Sequence, residues 1–182
     1  MVMAPILRKL ALSVHLTLAV GWIGSVLAYL ALGVAARTTE DDRTLRAAWI
    51  AMDLTGWYVI VPVAVASVVT GLIMALGTKW GLFRHYWVLY SFVMTVIAAV
   101  VLVLHMPDVS ELANVAREGE TGAGREHLLG RLRSGDLLHP ALGLLVLLTV
   151  QVLNIYKPTG LTRYGRRRQR AERATSREPI SA

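Results

Sequence analysis

The chain has 182 residues, 55% of them hydrophobic and 17% charged, with a mean hydropathy of +0.53; soluble domains carry roughly 25% charged residues. It has no cysteine, which excludes disulfide frameworks, iron–sulfur clusters and thiolate metal sites and leaves His, Met and carboxylates to hold any metal or haem. The net charge of +7 suggests nucleic acid at first sight, but its distribution along the chain argues otherwise.

Four stretches carry no charged residue: Leu10 to Ala36, Leu54 to Thr78, Tyr86 to Met106 and Leu137 to Tyr156. Each is long enough for a transmembrane helix, which needs about 20 mainly apolar residues. A cleaved signal peptide has an apolar core of only about 7–15 residues, so the first stretch reads as a retained span. The expected fold is all-α: an integral membrane four-helix bundle over residues 1–160, with an outer loop at 107–136. A basic tail at 161–182 is expected to be disordered.

In the first span, His15, Trp22 and Tyr29 recur at seven-residue steps and form one stripe. Small residues let helices approach closely in lipid, so Gly21 with Ser25 and Gly24 with Ala28 predict a helix–helix face. The second span offers Ser67, Gly71 and Ala75 in the same role, and Pro62 should kink it by removing a helical donor. Trp57, Tyr58, Trp80, Tyr86, Trp87 and Tyr156 fall at span ends and read as an interfacial aromatic belt. His85, at the mouth of the third span, fits the same belt.

His105 closes the third span and shares a helical face with Trp87, Ser91, Met94 and Ala98, which points it into the bundle. In the outer loop, Pro107, Asp108 and Glu111 predict a helix start. That helix should run to about Glu118 and break at Gly119, Gly122 and Gly124; His127 is given no role. His139 precedes Pro140 at the cap of the fourth span, at the depth of His105.

Arg8, Lys9, Lys79, Arg84 and the eight Lys and Arg after Tyr156 put twelve positive residues on one side of the membrane, against seven on the other. Ten of the twelve acids lie on that other side. The positive-inside rule then places both termini in the cytoplasm. The basic tail is expected to meet anionic lipid headgroups rather than nucleic acid. The small-residue faces leave room for a membrane protein partner or homo-oligomer.

Ionisable groups inside a span are costly and therefore invite a functional reading. His105 and His139, at one depth on different spans, could ligate haem iron from both sides, or hold a metal with carboxylate help from Asp53 or Asp136. His15 lies at an inner level, too far away to share one haem with them. No nucleophile–base pair, phosphate loop or paired catalytic carboxylates can be made out, so the chain leans towards a non-enzyme. Three functions remain open: a b-type haem protein for electron transfer or haem-linked oxidation, a non-enzymatic scaffold or accessory subunit, and a copper-handling domain using His105, His139, Met106 and Asp53.

The run from His15 to Trp22-Ile23-Gly24, Trp87 and His105 in the third span, and Tyr156-Lys157-Pro158 at the end of the fourth resemble a superfamily of small bacterial membrane proteins. It includes the HemJ-type protoporphyrinogen oxidases and the CopD-type copper-resistance membrane domains. The resemblance covers most of the membrane region and implies haem b, with His15 matching the first-span haem ligand. The HemJ-type proteins also carry a histidine and a lysine shortly after the third-span tryptophan, where Leu89 and Ser91 stand here, a departure that counts against their oxidase activity in this chain. The chain looks closest to uncharacterised four-helix members, for which no activity is implied.

Overall fold

A computed structural model describes residues 3–77, 81–118, 125–134, 137–158 and 160–175. It is all-helical, and four of its helices are long and apolar enough to cross a membrane. The elements are α1 (Pro5–Thr38), α2 (Asp42–Thr55), a π-helical turn (Gly56–Ile60), α3 (Val61–Gly77), α4 (Tyr86–Glu118), α5 (Arg125–Ser134), α6 (Leu138–Tyr156) and α7 (Arg163–Thr175). α1 packs against α2 and α3, α4 against α2, α3 and α6, and α6 also against α1. Trp80, Asp136 and the expected break at Gly119, Gly122 and Gly124 lie outside the described residues; His127 falls on α5, its side chain outside them.

Three of the spans, α1, the α2–α3 rod and α4, are longer than their apolar stretches. At 1.5 Å per residue, the 33 residues of α4 extend about 50 Å, against roughly 30 Å of bilayer hydrocarbon. The helix expected to start after Pro107 is present but continues α4 without interruption. Proline disfavours helix in the residue before it; here the burial of Val109, Ala113 and Ala116 against the neighbouring helices holds the helix through it. The region expected as an outer loop is thus mostly helical.

α2 and α3 likewise run past the start of their apolar stretch as one rod, joined by the π turn. Pro62 lies in the first turn of α3 and has no N–H to give the carbonyl four residues back. The distortion expected there takes the form of this wide turn, in which Val61 N–H donates to the Gly56 carbonyl.

The end of the bundle away from the chain termini holds the tightest packing. Trp49, Leu45, Met52, Val109 and Leu132 are almost completely buried, and Trp49 Nε1 donates to the Leu132 carbonyl at 2.9 Å. A smaller cluster of Ala75, Leu82, Trp87 and Val88 closes the opposite end. Trp87, read from sequence as a belt residue, is therefore buried. The α3–α4 connection turns at Gly81, whose φ of 59° is a left-handed conformation that glycine adopts without strain.

The basic segment expected to be disordered is helical over Arg163–Thr175. Its composition favours helix, since Arg, Gln and Ala are all good helix formers. Thr162 supplies the start: its Oγ1 accepts from Gly165 N–H at 3.0 Å and its carbonyl from Arg166 N–H at 3.0 Å.

Candidate functional site

Trp22 and Tyr29 lie on α1 about two turns apart, and both are buried. They form one wall of a cavity of about 270 Å³ between α1, α4 and α6. α4 contributes Met94, Ala98, Leu102 and His105, the face that periodicity assigns to the bundle interior. From α6 come His139, Gly143 and Leu147, and Ile60 of the π turn and Met106 also face the cavity. Apart from the two histidines, the Tyr29 hydroxyl and the Trp22 indole N–H, the side chains here are hydrocarbon, aromatic or thioether.

The rings of His105 and His139 meet at this cavity with centroids 4.1 Å apart and planes 17° from parallel. The shared depth expected of the pair is thus realised as contact. The rings lie face to face, however, leaving no gap between them for a macrocycle. His105 is largely covered and its Nδ1 lies 3.9 Å from Asp108 Oδ2, whereas His139 is exposed.

His15 is elsewhere. It sits seven residues before Trp22, about 10 Å along the helix axis, and its Nδ1 lies 3.0 Å from Thr70 Oγ1 on α3. Thr70 Oγ1 already donates to the Ala66 carbonyl at 2.8 Å, so the hydroxyl accepts and His15 Nδ1 carries the proton. The ring rests on Gly71, where a Cβ would come within 3.2 Å of His15 Cε1. The expected small-residue face of the second span is therefore the seat of His15 on α1, with Ser67 and Ala75 buried above and below it.

Gly21 and Gly24 do not find a partner helix within the chain: among the described residues, nothing comes within 4 Å of a Cβ placed at either. Asp53, weighed as a metal-site carboxylate, is committed elsewhere. It accepts from Ser110 Oγ at 2.7 Å and from Arg117 at 2.8 Å, while Ser110 accepts from Trp57 Nε1 at 2.8 Å. Among the described residues no three His, Asp or Glu side chains converge to hold a metal ion. The Asp53–Arg117 pair and the cavity wall at Trp22 and Tyr29 are features that sequence reasoning missed. The seven-residue stripe was the available signal for the second; nothing in the spacing marked Arg117 as the partner of Asp53.

No protein-family model, curated protein or solved structure matches this chain.

Proposed function

We propose that this is a multi-pass protein of the bacterial cytoplasmic membrane, both termini cytoplasmic, that binds b-type haem in the cavity between α1, α4 and α6. The observation that carries this reading is the meeting of two imidazoles from different helices at an otherwise apolar cavity, inside segments where such groups are costly. The segment charges support the orientation.

The lining suits the group on one side. An imidazole nitrogen beside aromatic, thioether and aliphatic walls suits a porphyrin, whose iron His105 or His139 would hold. The stacked rings do not suit two-sided ligation, and 270 Å³ falls below the roughly 300–1,000 Å³ of cofactor sites, so the walls would have to part to admit the group. A bound haem would supply one-electron redox chemistry. The chain's own contributions would be to exclude water through Trp22, Tyr29 and Leu102 and to orient one imidazole through the other.

Reconstitution tests this. Purified protein supplied with haem is expected to develop a Soret band that His105→Ala or His139→Ala removes or shifts and His15→Ala leaves in place. Absence of the band after haem is supplied would rule the reading out in favour of a non-enzymatic membrane component. Loss of the band in His15→Ala with the other two unaffected would move the site to the inner level.

A further inference from the structure

α7 starts seven residues after α6 ends, and it is fixed to the chain rather than trailing from it. Thr162 N–H donates to the Arg84 carbonyl at 3.1 Å, and Thr162 Oγ1 donates to the Phe83 carbonyl. Gly160 accepts from Tyr86 N–H at 3.2 Å, and His85 and Leu161 form an isolated bridge. The Arg84 carbonyl occupies the place where a Cβ on Gly165 would sit, so glycine is what lets the helix come this close. Residues 83–85 lie between the end of α3 and the start of α4, and Tyr86 opens α4. α7 is thereby held at the level where the apolar spans end.

Its charge is one-sided. At 100° per residue, Arg163, Arg166, Arg167, Arg170 and Arg173 fall within an arc of about 120°, and all five are exposed. Gly165, the anchor point, lies on the far side. The helix has six arginines and a single acid, Glu172. Like charges three and four residues apart on a helix repel, and this face sets five of them together. A fixed, ordered row of guanidinium groups at the edge of a bilayer complements one surface: a layer of phosphate-bearing anionic headgroups, which guanidinium binds with paired donors.

We infer that α7 is an anchored headgroup-binding helix, whose Arg163, Arg166, Arg167, Arg170 and Arg173 face engages anionic phospholipid of the leaflet beside it. Thr162 and Gly165 act as the hinge plate that sets the row against the membrane, and the arginines make the contact. This inference concerns the opposite end of the molecule from the histidine cavity and stands whether or not that cavity holds haem.

The chain has no cysteine, so a single Gln169→Cys gives a unique label beside the arginine face. Full-length protein carrying a polarity-sensitive dye there is reconstituted in nanodiscs of phosphatidylcholine alone or mixed with phosphatidylglycerol. The expected result is a blue shift in the mixed discs only, reversed by high salt. Each single Arg→Gln on the face should weaken the response to phosphatidylglycerol by about fivefold, the equivalent of one charge at an anionic surface. The fivefold Arg→Gln variant should lose the response, and the fivefold Arg→Lys variant should keep most of it. Equal emission in both disc types, or a response surviving in the Arg→Gln variant, would overturn the inference. So would a blue shift produced in phosphatidylcholine discs by a soluble oligonucleotide and not by phosphatidylglycerol.

Discussion

The imidazole of His15 on α1 rests on the bare backbone of Gly71 on α3, with its Nδ1 bonded to Thr70. The crossing of these two helices is built around a polar ring seated where a Cβ would crowd it. His15→Ala should cost about 1–3 kcal/mol, the loss of one hydrogen bond and of ring packing. Gly71→Leu should cost more, because the added side chain overlaps the ring. Unfolding in mild detergent, followed by circular dichroism, checks both. His15→Ala leaving the midpoint unchanged would remove the ring from the packing account.

Asp53 and Arg117 join α2 to α4 just outside the apolar stretches, and Ser110 and Trp57 extend the link. Asp53 is buried while Arg117 is 39% exposed, so solvent screens part of the interaction. Arg117→Met should therefore cost about 1–3 kcal/mol, below the roughly 3–5 kcal/mol of a wholly buried broken pair. Asp53→Ala combined with Arg117→Ala should cost less than the two singles added together. A double-mutant cycle that gives plain additivity would show the contact to be energetically idle.

Met106 passes between the cavity and the π turn, filling the space above Gly56. Gly56→Val would drive that side chain into the cavity. Haem reconstitution should then fall sharply while helicity is retained, since the turn itself tolerates valine's φ. Met106→Ala should instead enlarge the cavity and lower stability by about 2–4 kcal/mol. Parallel absorbance and melting measurements separate the two effects.

Asp41 caps α2, accepting from Thr44 through both hydroxyl and N–H and from the Arg43 N–H. The Thr44 hydroxyl, ahead of the two backbone donors and the Arg43 charge, holds the carboxyl below its usual range. A carboxyl with a depressed folded pKa contributes stability above its unfolded pKa and loses it as pH falls through the folded value. Protection of the amides at the start of α2, taken relative to their intrinsic exchange rates, should therefore fall only below the ordinary carboxylate range. Asp41→Asn should make it insensitive to pH over the same interval.

The four spans were legible because an unbroken apolar stretch of 20 or more residues has few alternatives to a membrane helix. His105 was legible for the same kind of reason: one helical period fixed which residues share its face, and the cavity lining agrees. The helix through Pro107 was not, because local proline preference was outweighed by burial of Val109 and Ala113 against partners remote in sequence. α7 was hidden behind its charge, which reads as disorder until Thr162 and the Arg84 carbonyl supply a start. The outward position of Gly21 and Gly24 depends on which face of α1 its neighbours choose, and small residues on both faces left that open. Stacking of His105 on His139 required the relative rotation of α4 and α6, which no single-helix pattern contains.

α6 contributes one wall of the cavity, and of its 19 residues only Leu147 is fully covered by the rest of the chain. Its neighbours are engaged by the Asp53–Arg117 link, the Trp49 anchor and the seat of His15. α6 is thus the side that yields at least cost. A hydrophobic guest already dissolved among the lipid tails would need only a small sideways displacement of this one helix to arrive, entering through the flank of the bundle without crossing either aqueous face.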